Sequence, residues 1–351
     1  EDVRTPPVSL PGTEVREIAS SFIDQEFKLH ISLPAGYADS TKVFPVVYLT
    51  DSDAYFGYFR SLAGNLHYGN LIPEIVVVGV AYEEDVGSYM RKRERDLLPA
   101  EVPNHPGSGQ AALFLKFMRE ELLPFVEAQY RVDPEDRTIV GMSAGATFAS
   151  YVLCTSPELF DRYIIVSPYL IYGQEVVIQM EKDYAREHDF LPARVYAAMG
   201  ELEPAYARGP WNTLMENIKK RNYSDLVLTQ ETLEGLSHMD VVFSAYVKGL
   251  KEVFSDRSKT LRAVPANYEG CTGLYELGSE RIRFTVRLEN NSLHISRSGE
   301  YWDELIPVTD TRFGVEGQAD VQFSFVADRK GAVMRMIIHQ LGMEVPAEKI
   351  D

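Results

Sequence analysis

One serine set between glycines two residues away on either side, in Gly141-Met142-Ser143-Ala144-Gly145, is the pattern in this chain best suited to chemistry. An apolar, β-branched run, Thr138-Ile139-Val140, leads into it, and an apolar stretch from about Ala146 to Thr155 leads away. A strand that turns sharply into a helix around such a serine forms a nucleophile elbow, with the hydroxyl exposed at the tip. The glycines let strand and helix approach closely. The same turn aims the serine at the positive end of the following helix, where charge developing on a substrate oxygen is stabilised. The plainer alternative is a serine chosen only because it is small; the strand-turn-helix context favours the nucleophile.

A serine hydroxyl needs a base. Chain order in this kind of fold puts that base after the last strand and ahead of the closing helix. Of seven histidines, His238 in Gly235-Leu236-Ser237-His238-Met239-Asp240 occupies that place. The remaining six (His30, His67, His105, His188, His294 and His339) show no paired ligand spacing, so a metal site is not expected. The third member is a carboxylate after the penultimate strand, able to hold the imidazole in the right tautomer. Gly200-Glu201-Leu202-Glu203 offers two. Glu203 is preferred because the residue three beyond the glycine points back over the sheet edge; Glu201 stays open. One oxyanion donor is expected from the backbone N–H of Ala144, and the other from the loop Thr50-Asp51-Ser52-Asp53.

These residues have to be positioned by strands and helices. Val43 to Leu49 and Ile75 to Val80 are almost wholly apolar and β-branched, as expected of central strands covered on both faces. Phe27 to Leu33 alternates as a half-buried strand in a meander ahead of the main sheet. Gln110 to Tyr130 carries apolar residues at helical spacing, with Pro124 predicted to kink or divide it. Beyond the elbow the order repeats: strand Tyr163 to Val166, helix Glu175 to Arg186, strand Arg194 to Met199, helix Trp211 to Arg221, strand Leu226 to Glu231, helix Val241 to Phe254. Alternating units of this kind predict an α/β fold with a doubly wound, mostly parallel sheet. The pattern changes at the polar stretch Ser255-Asp256-Arg257-Ser258-Lys259. From Thr260 the chain reads as short alternating strands, among them Arg281 to Val286, Ser292 to Ile295, Val321 to Phe325 and Val333 to Ile338, which predicts a small antiparallel β domain. Two domains, 1–258 and 259–351, are therefore expected.

With 351 residues, 45% of them hydrophobic, the chain has ample material for two cores. Its net charge of −17 argues against nucleic acid, which requires a basic stripe. No apolar run reaches the length of a membrane span. Cys154 and Cys271 fall in different expected domains and read as buried thiols rather than a disulfide. The chain opens at Glu1 without a basic segment leading into an apolar one, and an extracytoplasmic home is slightly favoured over the cytoplasm.

Several segments together resemble the esterase D-like family of α/β-hydrolases, which includes siderophore esterases, feruloyl and acetyl-xylan esterases and mycolyltransferases. They are Pro45 to Asp51, Arg93-Glu94-Arg95-Asp96-Leu97-Leu98-Pro99, Glu120 to Phe125, Tyr130-Arg131, the elbow, Ser156 to Asp161, Ser167-Pro168 and Ser237-His238. The resemblance covers about the first 255 residues and is nearest to the siderophore-esterase branch. It implies a triad of Ser143, His238 and Glu203, with an oxyanion hole from the N–H groups of Ala144 and Asp53. The family elbow often reads Gly-His-Ser-x-Gly-Gly, whereas here Met142 and Ala146 stand in place of the histidine and second glycine. From Tyr268 onward the chain resembles small β domains appended to serine β-lactamase-like hydrolases. Tyr275, the Leu293 strand and Leu305-Ile306-Pro307 would then be packing positions, and the domain would support, cover or oligomerise the catalytic one. Arg91, Lys92, Arg93 and Arg95 form the only dense basic cluster, read as a scaffold that pairs with acids more readily than as a cradle for an anionic substrate.

The expected reaction is ester hydrolysis through an acyl-enzyme, without a cofactor, on a small-molecule ester such as a siderophore lactone, hydroxycinnamoyl or short acyl ester. Acyl transfer or thioester hydrolysis by the same triad, and a non-catalytic binding protein keeping the fold, are the alternatives.

Overall fold

The computed structural model describes residues 8–38, 41–255, 268–278, 281–308, 312–315, 318–328, 330–340 and 343–350. Two compact units emerge, one of Glu1–Ala63 with Glu74–Val253 and one of Gly64–Pro73 with Phe254–Asp351. The boundary expected at 258/259 and the polar stretch around it lie, from 256 on, outside the described residues.

The first unit is built on an eight-stranded sheet: β1 (Thr13–Ser20), β2 (Gln25–Ser32), β3 (Phe44–Leu49), β4 (Val76–Ala81), β5 (Val132–Met142), β6 (Arg162–Val166), β7 (Phe190–Gly200) and β8 (Ser224–Leu233). The spatial order is β1-β2-β4-β3-β5-β6-β7-β8. The first hairpin and the β2–β4 contact are antiparallel and every other pairing is parallel. The hairpin is thus an edge of the main sheet rather than a separate meander. β4, Val-Val-Val-Gly-Val-Ala, is buried at all six positions, which is why it reads as a continuous apolar run.

Helices cover both faces: α1 (Ser52–Tyr68), α2 (Val86–Leu97), α3 (Ala111–Phe117), α4 (Leu123–Gln129), α5 (Ala144–Thr155), α6 (Tyr172–Glu187), α7 (Ala205–Arg221) and α8 (Val241–Val253). Tyr163, Ile165, Val195 and Ala197 belong to the core that holds Phe148 of α5. Their neighbours Ile164 and Tyr196 point the other way, toward Gly249 of α8. Tyr55 and Phe59 of α1 meet Tyr246 of α8 edge to face. Between α3 and α4 the rod continues through a wider turn, Met118–Leu122, in which Leu123 N–H bonds Met118 O. Pro124 lacks the N–H that a regular turn requires, and the widened turn accommodates it without a break.

The second unit contains a single 3₁₀ turn, Glu269–Cys271, among its described residues and strands β9 (Gly273–Leu277), β10 (Ile282–Glu289), β11 (Ser292–Ser296), β12 (Asp303–Pro307), β13 (Arg312–Val315), β14 (Gln318–Ala327), β15 (Val333–Gln340) and β16 (Met343–Lys349). All pairings are antiparallel, and β16 returns to β9, closing an eight-stranded barrel. Tyr275, Leu293 and Leu305 are buried in its core, the packing positions implied by the resemblance. Both cysteines are free and buried. Among the described residues no helix is long and apolar enough to cross a membrane, and no group of His, Cys, Asp or Glu is arranged to hold a metal.

Candidate active site

Ser143 stands between β5 and α5 with φ 57° and ψ −116°, a backbone conformation that a non-glycine residue adopts only when its surroundings force it. Two glycines make the turn feasible. A Cβ on Gly141 would lie 2.2 Å from the Gly145 backbone, and one on Gly145 would lie 2.0 Å from Thr50 Oγ1. The strained residue is pinned on both sides: its N–H donates to Val166 O at 3.0 Å, and its carbonyl accepts from Thr147 N–H at 2.9 Å. Its hydroxyl makes no cap bond to α5 and is left for another partner.

That partner is His238, whose Nε2 lies 3.1 Å from Ser143 Oγ. On the far side of the ring, Nδ1 is 2.9 and 3.1 Å from the two carboxylate oxygens of Glu203. A carboxylate only accepts, so Nδ1 carries the proton and Nε2 is free to accept from the serine. Glu203 is buried and follows β7; its side chain is only 1% exposed. Glu201 does something else: its carboxylate accepts from Gly235 N–H at 2.9 Å, and its own N–H bonds Leu233 O, bracing the loop that carries His238. Asp240 closes the same loop by accepting from Ser237 N–H and Oγ at 2.6 and 2.8 Å, bonds that hold its carboxyl below the usual range. The imidazole and the Tyr169 ring meet nearly at right angles, 5.6 Å between centroids, and Tyr169 and Tyr206 share a hydroxyl bond of 2.9 Å.

Ala144 and Asp53 each sit in the first turn of a helix, α5 and α1 respectively, where backbone N–H groups have no partner within the helix. The Asp53 carboxylate is committed elsewhere, accepting from Tyr82 N–H at 2.9 Å and Glu83 N–H at 2.6 Å, which fixes the start of α1 against the end of β4.

The basic cluster is spent largely on acids. Arg95 forks onto Asp96, and Lys92 pairs with Glu84. Arg93 reaches across to Asp51 with a two-pronged contact at 2.5 and 2.9 Å, and its Nη2 also donates to Met142 O at 3.1 Å. Tyr89 donates to the same carboxylate at 3.0 Å; burial, reinforced by the Asp51 charge, keeps that phenol protonated. Asp51 itself has φ 56° and is 2% exposed. Arg93 therefore ties the loop after β3 to the residue just ahead of Ser143. The scaffold reading of the cluster anticipated pairing, but not this partner, which lies 42 residues away.

A family model, Esterase, described as "Putative esterase", matches residues 20–245, more than half of the chain. The chain belongs to the esterase family. As an esterase-family serine hydrolase it is 29% identical over 216 residues to the ferri-bacillibactin esterase BesA of Bacillus subtilis, covering 56% of this chain and 72% of that protein. It is 26% identical over 292 residues to the siderophore triacetylfusarinine C esterase of Aspergillus fumigatus, covering 72% and 97%. Among solved structures this esterase resembles the BES protein of Bacillus cereus, with a TM-score of 0.66, 26% identity and coverage of 73% of this chain and 99% of that one.

Proposed function

We propose that Ser143, His238 and Glu203 form the catalytic triad of this esterase. The observation that carries the reading is the continuous Ser143–His238–Glu203 hydrogen-bonded chain ending at a strained elbow. His238 Nε2 takes the Ser143 proton as Oγ bonds to the ester carbonyl carbon. The oxygen that gains charge is held by the N–H groups of Ala144 and Asp53. The alcohol leaves with the proton from His238, and water, deprotonated by the same ring, releases the acid and restores the serine. Glu203 holds the ring and stabilises its charged form.

The substrate we infer is an ester of an iron-chelating siderophore, in line with the names of two relatives that share 26–29% identity with this chain. The tyrosines beside His238 suit a planar or bulky acyl group, since aromatic faces contribute contact area with little loss of conformational freedom. A substrate panel tests the reading: ferri-bacillibactin, triacetylfusarinine C and p-nitrophenyl esters of rising chain length. The siderophore esters should give kcat/KM at least about tenfold above the best p-nitrophenyl ester. Hydrolysis of the simple esters alone would remove the siderophore assignment and leave the triad.

A further inference from the structure

In a closed antiparallel barrel, residues along each strand alternate between interior and exterior, and eight strands leave room either for packed side chains or for one small ligand. The β9–β16 barrel does both, at different ends. Tyr275, Leu293, Met336 and Ala347 fill one end and are fully buried. Toward the other end, Leu277, Ile282, Phe284 and Val345 are only partly buried. Together with Ile295, Phe323 and Ile338 they line a cavity of about 410 Å³, within the range of small-molecule sites. Its charged and amide lining, Arg297, Asp303, Gln318 and Gln340, falls at strand ends on that side, so the apolar chamber has a polar mouth.

The mouth sets the head group. Among the described residues the lining holds one guanidinium, one carboxylate and two amides, which sum to no net charge and mix donors with acceptors. A chain of net charge −17 adds long-range repulsion against an anion. We propose that the barrel binds one uncharged amphiphile, its aliphatic or aromatic tail in the chamber and a hydroxyl, amide or ester head at the mouth. The cavity is lined by residues of the second unit, and its proposed ligand does not depend on the reading given for Ser143.

The test uses the full chain and N-phenyl-1-naphthylamine, whose emission rises in apolar surroundings, displaced in turn by 1-decanol, decanoate and decyltrimethylammonium. The expected result is saturable binding, with 1-decanol displacing the dye at concentrations at least about tenfold below either ion. Ile338→Trp fills the chamber and should weaken dye binding at least about tenfold. Arg297→Ala, at an exposed position that spares the fold, should weaken 1-decanol severalfold while leaving the dye bound, and it keeps the test decisive if Ile338→Trp does not fold. Ser143→Ala should leave both unchanged. Absence of saturable binding, loss of binding in Ser143→Ala, indifference to both barrel variants, or equal displacement by the ions would overturn the proposal.

Discussion

Among the described residues Ser, His and Glu come together three times: in the sheet unit as Ser143–His238–Glu203 and as Ser52–His30–Glu83, where His30 lies 3.0 Å from both the buried Ser52 hydroxyl and the Glu83 carboxylate, and in the barrel as Ser324–His339–Glu344. In the sheet unit, Ser143, His238 and Glu203 are linked by contacts of 3.1 and 2.9 Å. In the barrel, Ser324 Oγ lies 2.7 Å from His339 Nε2, and His339 Nδ1 lies 3.2 Å from Glu344. Side-chain distances alone do not separate them. The backbone does. Ser324 is in the middle of β14, paired with Arg312 on one side and Ile337 on the other, so the amides around it serve the sheet. Ser143 has a positive φ at the head of α5, where the first N–H groups of the helix have no partner within it. The acids differ as well: the Glu203 side chain is 1% exposed and Glu344 66%. Three side chains within reach of one another make a hydrogen-bonded network; a nucleophile also requires an exposed oxygen and donors for the charge it creates.

That contrast is open to direct attack. The largest expected effect is Ser143→Ala, which should lower kcat by about 10⁵–10⁶-fold, while Ser324→Ala leaves it unchanged in the same steady-state assay. Next, Glu203→Gln should cost about 10⁴ in kcat because the ring loses its tautomer, with Glu344→Gln neutral and Glu201→Gln costing less than about tenfold. If Glu201→Gln proved the more damaging of the two, the loop brace and the triad acid would have to be exchanged.

A third prediction concerns the support of the elbow. Arg93→Lys keeps the charge but loses the fork onto Asp51 and the bond to Met142 O. It should lower kcat about 10- to 100-fold with KM little changed, and thermal melting should show that the fold survives. A matching rise in KM would instead mean that Arg93 contacts substrate.

The smallest effect separates His339 from His238. Burial, with Arg312 adding to it, holds the His339 pKa below 6.5. The unfolded chain therefore binds this proton more readily than the folded one, and the stability that His339 contributes, complete above about pH 6.5, is lost as pH falls through its folded value. His339→Gln should flatten the dependence of barrel melting on pH below about 6.5 and leave ester hydrolysis untouched.

Much of this was legible in the sequence. Elbow, histidine loop and alternating strands are local patterns, each contained in ten or so residues, and a buried strand such as β4 announces itself by composition. Boundaries were less legible. β5 begins at Val132 rather than Thr138 because Asp133, Glu135 and Asp136 mask an extended segment that pairing carries outward. Helix α7 begins at Ala205, ahead of Gly209-Pro210, a pair that reads as a stop signal but is carried within the helix. α1, α2 and β1 went unread, their apolar positions being sparse or irregular. Contacts between distant segments left no local trace at all: the Arg93 fork onto Asp51, the antiparallel pairing of β2 with β4, and the return of β16 to β9 that turns a set of hairpins into a barrel.

The central claim is that Ser143 is made reactive by where the backbone holds it, and covalent labelling tests this most directly. Folded protein is treated with a fluorophosphonate, digested, and the adduct located by peptide mass spectrometry. One adduct per chain is expected, on Ser143, and none in His238→Ala. Folded protein that stays unlabelled, or an adduct on Ser324 in its place, would contradict it.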